Sequence, residues 1–148
     1  MSSGHLIGAE ALLRWDDHRH GKVPTGEIVS AAVAADLVTV LDNWVLVAAV
    51  KQIAYWKSTG LDPVPISINL GAESFAEQAL PSRIQNLLTT YKVPAELLQV
   101  EILETAVLHD FDSILPIIES ITKIGVQFAL DDFGTKYSSL RYLQRLPI

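Results

Sequence analysis

Glu10, Asn69, Glu101, Asp131 and Asp132 are the side chains whose types and spacing could carry chemistry in this chain. Carboxylate and amide oxygens are hard ligands, and such a set selects magnesium or manganese over softer ions. The carboxylates of Glu10, Glu101 and Asp131, gathered with the amide of Asn69 in a dry space, would repel one another. A divalent cation is the simplest relief. An adjacent pair such as Asp131-Asp132 can bridge two ions, the arrangement that serves in-line attack on a phosphodiester. Taken singly, each acid is more often a solvated surface group or a helix cap, and Asp131-Asp132 could merely open a turn. The metal reading gains its weight from pattern: the first four residues share one parity on four different predicted strands.

Those strands follow from local signals. Leu6 to Trp15 reads as a strand, followed by a polar loop over Asp16 to Lys22. A helix is expected from Pro24-Thr25, with Thr25 as N-cap, to about Asp36. A longer one runs from about Val40 to Ser58 and is stopped by Gly60. Pro65 to Leu70 is a strand, Ser82 to Tyr91 a helix, and Leu98 to Leu103 a strand. Phe111 to Ile124 is a helix closed by Gly125, Val126 to Asp131 a strand, and Ser138 to Arg145 the last helix.

Strands alternating with helices imply βαβ units and a parallel sheet, an α/β fold. Parity refines this. Ile66, Ile68 and Leu70 oppose Ser67 and Asn69, while Leu98, Val100 and Ile102 oppose Gln99 and Glu101. Val126, Phe128 and Leu130 oppose Gln127, Ala129 and Asp131, and Ile7, Ala9, Ala11 and Leu13 oppose Gly8, Glu10 and Leu12. A doubly wound sheet is apolar on both faces. A barrel has helices only outside and tolerates polar groups within, so one apolar and one small or polar face favours a barrel. Asn69, Glu101 and Asp131 lie at or near the C-terminal ends of their strands, where barrel enzymes place their chemistry.

Bulk composition sets the outer limits. The 148 residues, 49% of them apolar, suffice for one domain with a real core. The absence of cysteine excludes a disulfide framework and thiolate zinc sites, and fits a reducing compartment. A net charge of −6 argues against nucleic-acid polymers as partners. The most apolar stretch, Ala31 to Val50, is interrupted by Asp36, Asp42 and Asn43, so it reads as a buried helix rather than a membrane span. A cytoplasmic domain without membrane insertion of its own is the expectation, even where the parent protein is membrane-anchored. His5, His18, His20 and His109 are expected at the surface, and Trp15, Trp44 and Trp56 in core or rim packing.

Four segments resemble motifs of the EAL domain family. Glu10-Ala11-Leu12-Leu13-Arg14-Trp15 resembles the family's signature, and Ser67-Ile68-Asn69-Leu70 its next strand end. Glu101-Ile102-Leu103-Glu104-Thr105 is similar to E-[IL]-T-E-S, and Asp131-Asp132-Phe133-Gly134-Thr135-Lys136-Tyr137-Ser138-Ser139-Leu140 to D-D-F-G-[TA]-G-Y-S-S-L. The resemblance implies a (β/α)8 TIM-type barrel used in bacterial signalling, which cuts cyclic-di-GMP to linear pGpG with two magnesium or manganese ions. It implies that Glu10, Asn69, Glu101 and Asp131 hold the first ion, and Asp131 and Asp132 the second. Glu10, Asp131, Asp132 and Glu104 would be the catalytic set, with Glu104 orienting ligands. Arg14 would bind a substrate phosphate and Leu12 would line the ligand pocket.

Two positions depart from the motifs. Leu103 replaces a threonine and removes a hydroxyl, and Lys136 replaces a glycine and strains any backbone there that needs positive φ. An eight-stranded barrel takes about 250 residues. The expectation over 1–148 is therefore an incomplete EAL domain of about four parallel strands, lacking the family's first strand and its C-terminal barrel half. Such a fragment is expected to be inactive alone and to derive from a parent with an upstream sensory or cyclase domain. The alternative function is a non-catalytic module that binds cyclic-di-GMP or a protein partner. An unrelated metal-dependent barrel would bind magnesium but no guanine dinucleotide. Open sheet edges and uncovered helix faces favour association, as a homo-oligomer or swapped dimer. Light scattering at micromolar concentration is expected to give a dimer or larger species, and a monodisperse monomer would contradict this.

Overall fold

A computed structural model describes residues 6–19 and 21–131. Asp132, the loop through Lys136, the helix expected over Ser138 to Arg145, and His5 and His20 lie outside the described residues.

The first strand is shorter than its sequence pattern. β1 (Ala9–Ala11) is confined to the residues that pair with a neighbour, and the Ala9 N–H donates to the Pro65 carbonyl at 2.9 Å. Leu6 and Ile7 precede it and are 71% and 89% exposed. Residues expected as a polar loop form a hairpin instead, β2 (Trp15–Asp17) against β3 (Gly21–Val23). Its pairs are Trp15 with Val23 and Asp16 with Lys22, an apolar pair beside an opposite-charge pair. The Asp17 carboxylate accepts the Arg19 N–H at 2.8 Å, and Gly21 takes the φ of 72° with which the turn ends. Cross-strand pairing and this side-chain turn outweighed the polar composition.

Pro24, not Thr25, is the N-cap of α1 (Thr25–Ala34), and its carbonyl accepts the Glu27 N–H at 3.0 Å. The Thr25 hydroxyl donates to the Leu13 carbonyl at 3.0 Å, so it ties the helix back to the segment after β1. α2 (Val38–Ser58) starts two residues before the expected Val40 and ends where Gly60, at φ 78°, takes the left-handed conformation. There follow β4 (Ile66–Asn69), α3 (Ala72–Phe75), α4 (Leu80–Tyr91), β5 (Leu98–Leu103), α5 (Glu104–His109), α6 (Phe111–Ile124) and β6 (Gln127–Asp131). α3 and α5 escape sequence reading because one or two turns carry no measurable periodicity. Gly125 closes α6 at φ 100°, as expected.

The sheet runs β1-β4-β5-β6, every neighbouring pair parallel. This is the α/β arrangement anticipated, four strands of a (β/α) barrel. α2 packs on β4 and α4, α4 on α6, and α6 on β6. Ile66, Ile68, Leu98, Val100, Ile102 and Phe128 are buried on the helix side and meet Leu46, Val50, Ile53, Ile84, Ile118 and Ile121. Trp56 packs on this core, while Trp15 and Trp44 are 51% and 59% exposed, at the rim rather than in the core. Trp15 opens β2 of the hairpin and Trp44 lies on α2.

Ile118 is fully buried in the centre of this helix layer. Ile118→Ala is expected to cost about 2–5 kcal/mol, read as a lowered denaturant midpoint at unchanged slope.

Candidate metal centre

The parallel register decides which polar side chains meet. Glu10 pairs with Ser67, Asn69 with Glu101, and Leu103 with Asp131. Side chains alternate along a strand, so Glu10, Asn69, Glu101 and Asp131 all project from the face opposite the apolar core. Adjacent strands lie about 4.8 Å apart, and two residues along a strand span about 6.6 Å. Glu10 and Glu101 thus flank Asn69 from either side, while Asp131 stands one pleat further toward the strand ends. The Asn69 amide Nδ2 donates to Glu10 Oε1 at 3.0 Å. Sequence pattern alone named all four residues, and the fold brings them to one face.

The donor set suits a hard cation, because every side chain in it offers oxygen. Asn69 does so once its amide is turned, since amide oxygen and nitrogen exchange places by a simple flip. Among the described residues no three Asp, Glu or His side chains stand as close as one ion demands. Like-charged carboxylates diverge without a counter-charge, and here Glu10 turns to the Asn69 N–H instead. Asp132, the expected bridge to a second ion, lies outside the described residues.

The remaining predicted residues lie on or beside the same strands. Glu104 is buried at the start of α5, directly after β5. Leu103, preceding it, is 48% exposed. The Arg14 guanidinium donates to the Leu13 carbonyl at 2.7 Å and to Thr25 Oγ1 at 3.4 Å, just beyond the end of β1. Leu12 is half exposed and lines a cavity of about 330 Å³ with Glu10, Leu13, Trp44, Gln52 and Trp56. The cavity lies between β1 and α2, so Leu12 belongs to an apolar recess beside the cluster. His18 and His109 are exposed, as expected. No helix among the described residues is long and apolar enough to cross a membrane.

Asp42 is the residue that sequence reasoning passed over. It lies on the buried stripe of α2 among Val38, Leu46, Ala49, Val50 and Ile53, and is itself only 8% exposed. Its Oδ2 accepts the Gly71 N–H at 2.7 Å and the Ser74 hydroxyl at 2.6 Å. A carboxylate on an otherwise apolar helical stripe must find such partners, and that spacing was the available signal. In the sequence it registered only as a break in an apolar run.

The fold is thus a parallel α/β sheet with helices on one face and the oxygen-bearing side chains of Glu10, Asn69, Glu101 and Asp131 on the other. The family model described as "EAL domain" matches residues 1–148, and the chain belongs to that family. It is 37% identical over 145 residues to the bifunctional diguanylate cyclase/cyclic di-GMP phosphodiesterase MucR of Pseudomonas aeruginosa, covering 98% of this chain and 21% of that protein. It is 31% identical to the cyclic di-GMP phosphodiesterase PdeR of Escherichia coli, covering 98% of this chain and 22% of that protein. The solved PaMucR phosphodiesterase in complex with c-di-GMP superposes with a TM-score of 0.90 at 38% identity, over 97% of this chain and 58% of that one. The chain thus spans about a fifth of these curated relatives.

Burial pushes the Asp42 carboxyl above its ordinary value of 3.8, and the nearby charges of Glu73 and Glu77 add to this, while the bonds from Ser74 and Gly71 oppose it. The folded state therefore holds this proton more tightly than the unfolded chain. That contribution to stability is present below the ordinary carboxylate value and is lost as pH rises through the raised one. Denaturation of the wild type measured against Asp42→Asn is expected to show the wild type gaining relative stability as pH falls from neutral toward 3.8. A pH-independent difference would contradict it.

Proposed function

We propose that this chain is part of a metal-dependent phosphodiesterase domain that hydrolyses cyclic-di-GMP to linear pGpG. The observation that carries this is the placement of Glu10, Asn69, Glu101 and Asp131 on one face of four parallel strands, with Asn69 bonded to Glu10. The likeness to MucR and PdeR supports cyclic-di-GMP as the substrate. Glu10, Asn69, Glu101 and Asp131 would hold one magnesium or manganese ion, and Asp131 with Asp132 a second. Bound there, such ions would polarise a phosphodiester oxygen and acidify a water.

The chain's own groups supply the rest. Turning the Asn69 amide frees the Glu10 oxygen and presents two ligands in place of one hydrogen bond. Arg14, released from the Leu13 carbonyl, offers a planar fork to a substrate phosphate. Leu12 gives the guanine bases an apolar wall, and buried Glu104 orients the end of β5. The domain acts in the cytoplasm, as a homo-oligomer or swapped dimer, in a parent protein with an upstream sensory or cyclase domain. A second reading, a module that binds cyclic-di-GMP or a protein partner without cutting, draws on exposed Leu103 where the family motif has a threonine.

The test uses the full-length protein with cyclic-di-GMP and manganese, following linear product by chromatography. Asp131→Asn is expected to reduce turnover by more than the about 100-fold that losing an outer partner of a metal site costs. Undiminished turnover in that variant would refute the assignment. Tight binding of cyclic-di-GMP with no turnover by the wild type would establish the second reading.

A further inference from the structure

We propose that Asp42 is a positioning residue for Asn69, an inference that rests on the metal-dependent reading above. Asp42 lies on the helix side of the sheet and touches none of the reacting groups. It acts through the backbone that leaves β4. Leu70 donates its N–H to the Glu101 carbonyl at 3.0 Å, and Gly71 donates its N–H to Asp42 Oδ2 at 2.7 Å. Of the two successive peptides after Asn69, the first is therefore tied to β5 and the second to α2. The Ser74 hydroxyl, bonded to the same oxygen at 2.6 Å, extends the tie into α3. Both bonds run to a carboxylate, which makes them shorter and stronger than neutral ones.

The packing around Gly71 requires this closeness. A Cβ there would fall 2.6 Å from Val38 Cγ1 and 2.9 Å from Glu73 Oε2, so α2 meets bare backbone. Holding α2 to the sheet does not need a buried acid. An apolar residue on that stripe would do so without the cost of desolvating a charge. What the carboxylate adds is an anchor for the backbone leaving β4, which steadies the Asn69 Cα from which the amide reaches Glu10. A strand end with only the β5 tie would leave that position free to vary.

Two readouts test this on the folded chain, neither of them turnover. One is manganese affinity, from the electron paramagnetic resonance signal of free ion. The other is the side-chain amide resonance of Asn69, identified by its loss in Asn69→Ala. Asp42→Ala is expected to shift that resonance and to weaken manganese binding on the order of 10–100-fold. Asp42→Asn, whose amide oxygen can take both donors, is expected to restore most of both. Leu88→Ala, a core control in α4, is expected to lower the Tm and leave both readouts unchanged. A folded Asp42→Ala with unaltered resonance and affinity overturns the proposal. If Asp42→Ala does not fold, Ser74→Ala takes its place, with a smaller shift of the same resonance expected and no shift overturning it. A wild type that binds no manganese would sink the metal reading, while the Asn69 resonance still decides the role of Asp42.

Discussion

The register of the parallel sheet is the constraint on which the rest of this molecule depends. Side chains on a strand have only two directions, so a slip of one residue would carry every polar group from the open face into the helix layer. Such a slip would bury Asn69 and Glu101 and expose Ile68, Val100 and Ile102, each of which is at most 1% exposed. The apolar set that binds α2, α4 and α6 therefore also sets where Glu10, Asn69, Glu101 and Asp131 emerge. Core and site are two sides of one pairing pattern.

The helix layer does more than cover the sheet. From near the N-terminal end of its buried stripe, α2 sends one carboxylate to the backbone just beyond β4, at a point where Gly71 leaves room for contact. The N-terminal part is tied more lightly. Thr25 and Arg14 both bond the Leu13 carbonyl, so the hairpin and α1 hang from the end of β1 by exposed hydrogen bonds. α1 buries none of its residues. The buried core is thus concentrated around β4, β5 and β6, while the segment after β1 is mostly exposed.

Much of this was legible beforehand. Alternation in Ile66-Ser67-Ile68-Asn69 and in Leu98 to Leu103 named both strand and face, because burial on one side leaves a period of two in the sequence. Glycines at 60 and 125 marked helix ends because only they take positive φ there without strain. The first strand is shorter than its pattern, since Leu6 and Ile7 carry strand-forming side chains but pair with no strand among the described residues. The hairpin was missed because Asp16, Asp17 and Lys22 look like loop residues until they are seen paired. Thr25 has a capping side chain and spends it on Leu13.

By itself the sequence determined the α/β class, the four polar strand residues and the motifs that place the chain in its family, all of which are local patterns of residue type and spacing. Only the tertiary structure decided how those strands align, that Asn69 reaches Glu10 across 59 residues of chain, and that Asp42 reaches Gly71 across 29. Contacts between distant segments depend on how helices and strands pack, and no local pattern encodes that distance. A lone aspartate in an apolar run looks like an interruption until the backbone it holds is brought beside it.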